Sequence, residues 1–337
     1  MICAMGGRLK PAAIALSLVS VGTLLAAQGA GGGLWSFVAE PGLHVLYGLA
    51  FEYAYDGTTG NKLSELDWDI KPMVSVSSAL RARVRSFEFG LSCTVGFPDY
   101  SGVMTDSDWD NESVGDTATK TNYSESDALA QGLVAVDLSL GRVFEPGPRL
   151  EMRTSLGFRW LDVSWSARGG WYQYASDYSP TNPPPYFSYT TGAVVPMHGL
   201  ISTYEQRYFI FFAGARADWL LSRSVALSAG VRASPAVWAV AIDNHVRRDF
   251  TATDWMSGGY LLEPQLGVAW SPAPPITLRL NAGYALIAGL HGDEVVVAGD
   301  NVDPTLHLAP GATRTYANSS GAGMSAVELE LGAELKL

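Results

Sequence analysis

Along most of this chain apolar and polar residues take turns. Near the C-terminus Val327, Leu329, Leu331, Ala333, Leu335 and Leu337 share one parity, and Glu328, Glu330, Gly332, Glu334 and Lys336 the other. In an extended strand residues two apart project to the same face, so each set marks one side of a strand. Leu150 to Trp160, Phe87 to Phe97 and Leu278 to Leu286 repeat the pattern, and Phe209, Phe211, Ala213, Ala215, Ala217 and Trp219 share a face. Turn signals divide the chain into ten such segments: 41–56, 62–82, 86–98, 121–141, 148–178, 186–218, 224–250, 253–271, 275–293 and 311–337.

Short connections (Arg83 to Arg85, Glu145 to Pro148, Leu221 to Arg223, Ser271 to Pro275) are read in alternation with long polar ones (Pro98 to Lys120, Ser179 to Tyr186, Arg247 to Asp254, Gly292 to Arg314). An even number of long strands, each with an apolar face, predicts an all-β fold: a closed antiparallel ten-stranded transmembrane β-barrel with long extracellular loops. A soluble β-sandwich is the competing architecture, but its strands are usually shorter. With neither linker nor repeat in view, residues 31–337 read as one outer-membrane β-barrel domain.

Composition agrees. Charged residues are only 16%, aromatics reach 11% and there are 36 glycines, which suits a wall with lipid outside and water inside. The N-terminus reads as a signal peptide over residues 1–30: basic Arg8 and Lys10, an apolar run from Pro11 to Ala27, then small residues. A membrane-anchor helix is the alternative for that run, which is near the lower length limit for spanning. Cys3 leaves with the signal, so Cys93 remains alone and no intramolecular disulfide forms. Losing Arg8 and Lys10 leaves 20 basic against 33 acidic residues, a charge of 20 − 33 = −13. That balance disfavours nucleic acid as a partner and favours cationic ones.

Two polar motifs lie near the predicted outer ends of strands: Asp106-Ser107-Asp108 before Trp109, and Asp243-Asn244-His245. In each the titratable residues are two apart and can share a face. A carboxylate on one imidazole nitrogen fixes the tautomer and raises basicity, leaving the other nitrogen to take a proton from water. A facing carboxylate pair can hold that water and share a proton. Together the four groups suit general-base hydrolysis of a peptide bond without a covalent intermediate. The same spacings also fit solvated loop charge, a weak cation site or hard ligands for a divalent metal. One histidine with three carboxylates is not a zinc pattern, and no metal or other cofactor is expected.

At these residues the chain resembles the omptin family of outer-membrane endopeptidases. The likeness runs through ordered blocks: Gly48 with Glu52 and Tyr55, Leu66-Asp67-Trp68, Asp106-Ser107-Asp108-Trp109, Asn122-Tyr123, Ala167-Arg168-Gly169-Gly170, Tyr204-x-Gln206-Arg207, and Asp243-x-His245. After Phe250 only the strand layout matches. The resemblance implies a ten-stranded barrel with an active cleft at its outer mouth. Asp106 and Asp108 would be a carboxylate pair, Asp243 would orient His245, and His245 would be the general base acting on a water held against Asp106. Glu52 would receive a basic P1 side chain, so the implied partners are polypeptides with basic residues.

Departures from the family pattern are as informative. Ala241 stands where omptins carry a second P1 acid, and the segment from Asp110 to Lys120 is short, which puts an acidic P1′ determinant in question. Arg207 matches one basic residue of the family's lipopolysaccharide site, but Phe158, Trp160 and Asp162 replace Tyr, Glu and Arg there. An outer-membrane lipid partner is therefore expected, with dependence on lipopolysaccharide either lost or passed to a different lipid. Leu337 replaces the aromatic end usual for barrel insertion. The leading expectation is an endopeptidase that cuts near basic residues. The alternative is a catalytically inactive omptin-like barrel acting as a surface adhesin or interaction protein; an open pore is disfavoured by the narrow bore of ten strands. Arg159, Arg232 and Arg279 read as lumenal charges, and Trp219, Trp238 and Trp270 as girdle residues. His198, His291 and His307 are assigned no role.

Overall fold

A computed structural model describes residues 34–179, 182–303 and 306–337; the segment read as a signal peptide lies outside them. The strands are β1 (Trp35–Tyr55), β2 (Lys62–Val84), β3 (Phe87–Gly96), β4 (Asp99–Asp108), β5 (Asn122–Gly147), β6 (Leu150–Tyr174), β7 (Val194–Pro196), β8 (Leu200–Leu220), β9 (Val225–His245), β10 (Phe250–Ala273), β11 (Ile276–Ala298) and β12 (Thr313–Lys336). All pairings are antiparallel, and β1 joins both β2 and β12, which closes the sheet. β3 and β4 stack end to end, each between β2 and β5, and β7 is a short addition to β6. The ring therefore passes through ten strand positions, as the alternation predicts.

Several boundaries differ from the sequence reading. Pro98 has no N–H for the ladder, yet the chain resumes as β4 and carries Asp106 and Asp108 on a strand rather than a loop. Residues 186–199, expected in the sixth strand, lie outside the ten-strand ring: they form a 3₁₀ turn (Tyr189–Thr191) and β7, which pairs with β6. The Arg247 to Asp254 connection is a turn of residues 246–249, since β10 already begins at Phe250. β11 likewise runs further than alternation suggests, to Ala298, while β12 begins at Thr313, leaving 299–312 as the outer loop.

The outward faces carry the apolar set. Phe89, Leu138, Leu156, Phe211, Leu266 and Leu331 are exposed. Below them lie exposed Trp35, Phe87, Trp219 and Trp270, and above them Tyr47, Trp238, Tyr260 and Tyr284. Two aromatic girdles around an apolar band mark a membrane span. Twelve residues separate Trp35 from Tyr47, roughly 30 Å for a strand tilted by about 40°. Every strand position that holds the two motifs lies above that band, outside the membrane.

Inside the span the polar face forms ion pairs. Arg159 contacts Asp137 at 2.7 Å and Glu263 at 3.0 Å, Arg232 contacts Asp137 at 3.2 Å, and Arg279 contacts Glu334 at 2.5 Å. These surround a polar cavity of about 350 Å³. Above it Trp68 and Tyr204 stack at 5.3 Å, with Trp165 6.0 Å from Trp68. Together with buried Tyr208, Ile210, Val237 and Met324 they pack across the bore. Each such side chain contributes about 1.5–3 kcal/mol on burial, and the layer separates the lower cavity from the outer mouth.

A band of β-bulges at this level reverses which parity faces inward. On β9, Arg232 points into the lumen through its ion pairs, yet Ala239, Ala241 and Asp243 are the buried residues above it. The register slips by one between Ile210 and Ala213 of β8, opposite Ser234–Ala236. The Ser234 hydroxyl donates to the Ala236 carbonyl at 2.9 Å and accepts from the Ala236 N–H at 3.2 Å, with Pro235 between them. An extra residue of this kind shifts every later side chain to the opposite face. β10 and β11 slip in the same zone, at Gly258 and Gly289, both left-handed with φ of 78° and 75°. Glycine adopts that conformation without steric cost.

Candidate active site

Asp106 and Asp108 leave β4 on its inward face, and Asp243 and His245 leave β9 on its inward face. β4 and β9 stand on facing walls, four positions apart around the ring. On β9, Nε2 of His245 lies 2.7 Å from Oδ2 of Asp243. The Ser202 hydroxyl of β8 donates to the other oxygen of Asp243, whose side chain is only 1% exposed. The imidazole ring stacks on Phe250 with centroids 4.2 Å apart, so ring and carboxylate are both held. With Nε2 turned to Asp243, Nδ1 is the nitrogen left for the cleft. On β4 the Ser64 hydroxyl donates to Asp106 at 3.3 Å.

The electrostatics tie the two walls together. Burial disfavours the His245 imidazolium, but the adjoining Asp243 carboxylate outweighs it, with help from Asp106 across the cleft, so the imidazole pKa is raised. Burial raises Asp106 against the opposing pull of His245. Asp108 lies well above the ordinary carboxylate range, first through burial and then through its neighbours Asp106 and Asp110. The arrangement is an acid pair, one member of which readily keeps its proton, facing an imidazole paired with a carboxylate.

Glu52 of β1 also turns inward. It lies one strand from Asp106 through Leu66, which pairs with both. Its Oε2 is buried without a hydrogen-bond partner among the described residues. Burial, then Asp243 and Asp254, push its pKa well up. Beneath it Gln206 of β8 reaches across the bore: its amide donates to the Phe51 carbonyl at 2.8 Å and to the Tyr204 hydroxyl at 2.8 Å, and its carbonyl accepts from Tyr208 at 2.5 Å. A residue of the Tyr204-x-Gln206-Arg207 block thus fixes the backbone beside Glu52.

Arg207 is elsewhere, on the outer wall of β8. It pairs with Asp162 at 3.2 Å and with Glu205. The Ala167-Arg168-Gly169-Gly170 block is a kink in the barrel extension, with left-handed Gly169 and Gly170. A Cβ at Gly170 would lie 1.8 Å from the Glu125 carbonyl oxygen. Glu112, in the short segment after β4, is occupied by Thr59 and Asn61, both at 2.8 Å.

Sequence reading missed Asp254 and Glu294, which also face the cleft and raise the pKa of Glu52. Asp254 fell at the edge of an expected loop, so its parity carried no meaning. Glu294 fell just past an expected strand end.

Comparison with known proteins places this architecture. The family model described as the omptin family matches residues 36–334. A plasminogen activator of Yersinia pestis is 26% identical over 287 residues, 79% of this chain and 84% of that protein. The crystal structure of the outer membrane protease OmpT from Escherichia coli superposes with a TM-score of 0.78 at 17% identity, over 90% of this chain and 97% of that one. The match to the family spans nearly the whole barrel and includes both inward-facing motifs: the chain belongs to the omptin family of outer-membrane proteases.

Proposed function

We propose that this protein is an endopeptidase that cuts polypeptides next to basic residues at the cell surface, by direct attack of a water molecule. The observation that carries this reading is the His245–Asp243 pair facing the Asp106–Asp108 pair across a cleft open to the outside. Water held between His245 and Asp106 gives a proton to Nδ1 as its oxygen attacks the scissile carbonyl. Asp243 stabilises the imidazolium that forms, and the imidazolium returns the proton to the leaving amine. Asp108, the acid of the pair with the higher pKa, donates a hydrogen bond from its retained proton to the charge building on the carbonyl oxygen. No covalent intermediate and no cofactor enters these steps. Glu52, with its Oε2 buried and unpartnered among the described residues, is suited to the ammonium or guanidinium of the P1 residue.

The refolded barrel in detergent, given a fluorogenic peptide library with and without added lipids, should cleave next to Lys or Arg. Cleavage of nothing under any lipid condition would remove this reading. It would favour a barrel retained as an adhesin or interaction protein, a role to which the outer loops are suited. The substitution at Ala241 and the pairing of Arg207 by two carboxylates are the observations on that side.

A further inference from the structure

Ala241 leaves the cleft without the acid that omptins place two residues before the Asp243 position. The same level of the barrel nevertheless holds two carboxylates on the adjoining strands. In the register of β9 and β10, Asp254 is the direct partner of Ala241. In the register of β10 and β11, Glu294 is the direct partner of Asp254. Directly opposed residues on one face lie within about 5.5 Å of each other. Asp254 is only 4% exposed and has no hydrogen-bond or ion-pair partner among the described residues; neither has Glu294. Oε2 of Glu52 is also buried and unpartnered.

A buried carboxylate without a donor, such as Asp254, is costly, and further carboxylates beside it raise that cost. They lie close enough to act on one another: Asp254 and Glu294 both raise Glu52, and Glu294 and Asp243 raise Asp254. Tyr204 senses Glu52 and Asp254 together from the floor. No Lys or Arg faces Asp254 or Glu52 strongly enough to shift it, and on Glu294 the opposing cation is His245. Such a group of acids is incomplete until a cation enters it.

We infer that Asp254, supported by Glu294, is the second specificity acid of this protease, displaced by one strand from position 241, and that with Glu52 it forms the socket for a basic side chain of the substrate. This rests on the endopeptidase reading above, but the socket can be tested apart from hydrolysis. The displacement is a compensation within the sheet: the residue across the ladder supplies the charge that the residue on β9 lacks. A guanidinium, with its planar fork of donors, can bond Glu52 and Asp254 together, and an ammonium can do so as a point charge. Since one cation balances one carboxylate, entry of the basic side chain relieves the repulsion among the acids without every one of them having to ionise.

The test uses the complete refolded barrel and the fluorescent arylamidinium p-aminobenzamidine as probe, with binding read from its emission. Wild type should bind saturably, and Asp254→Asn should weaken binding by about tenfold or more. Adding Ala241→Asp to the Asp254→Asn variant should recover binding, which also shows that the variant is folded. Equal binding by wild type and Asp254→Asn would overturn the inference, as would absence of binding by wild type. In parallel, the ratio of kcat/KM for a peptide with P1 Arg to one with P1 norleucine should fall by about tenfold in Asp254→Asn. Basic-site cleavage with that ratio unchanged removes the socket and leaves the endopeptidase reading standing. Asp254-dependent probe binding by a barrel that cuts no peptide leaves the socket standing and removes the endopeptidase reading.

Discussion

Nε2 of His245 sits 2.7 Å from Oδ2 of Asp243, and that carboxylate is closed off on its other side by Ser202. The imidazole pKa is therefore raised despite burial. A general base must be neutral, so a raised pKa holds the protonated, inactive form to higher pH. The acid limb of kcat/KM against pH should have its midpoint above about 6.5, the value of a free imidazole. Activity should be low below that midpoint and rise through it. A midpoint in the ordinary carboxylate range, near 4, would show that His245 does not limit the acid limb.

The two acids of β4 should not be equivalent. Asp108 stands well above the ordinary carboxylate range, through burial and the adjacent Asp106, whereas Asp106 is drawn back down by His245. Asparagine resembles a protonated aspartic acid in shape and in its ability to donate. Asp108→Asn should thus retain at least about tenfold more activity than Asp106→Asn. Equal losses in kcat would contradict the assignment of the shared proton to Asp108.

On the outer wall, Arg207 is engaged by Asp162 and Glu205, so its charge is already balanced and the trio carries a net negative charge. A lipid phosphate would meet repulsion there. Activity of delipidated, refolded protein should change little when lipopolysaccharide is added. A large stimulation would show that lipopolysaccharide binds regardless, and substitution of Asp162 by Arg would then be expected to change nothing.

Gln206 is fully buried and bridges β8 to β1 while serving two tyrosine hydroxyls. Gln206→Leu leaves the Phe51 carbonyl and the Tyr208 hydroxyl without this partner, a cost of about 1–3 kcal/mol. Urea unfolding from lipid vesicles should report that loss. An unchanged midpoint would mean that the bridge contributes nothing net.

The lower half of the barrel was legible in the sequence because its alternation is unbroken. Glu328, Glu330 and Glu334 on one parity and Val327, Leu329 and Leu331 on the other are found inside and outside as expected. The outer half was legible only in pieces. Counting in twos from lumenal Arg232 puts Asp243 and His245 on the lipid side; the bulge at Ser234–Ala236 returns them to the cleft. Their functional grouping was visible from spacing within each motif, which a bulge elsewhere does not disturb. Asp254 and Glu294 have no such local motif. They become neighbours of Ala241 only through the ladder, a relation between strands that no local pattern records.

The central claim is that His245 takes the proton from the attacking water. Its most direct measurement is kcat of His245→Ala beside wild type on one peptide that wild type cleaves, with folding of both checked by circular dichroism. General-base catalysis predicts a loss of about 10²–10⁴-fold. A His245→Ala variant that cleaves as fast as wild type would contradict the mechanism, even though proteolysis itself would stand.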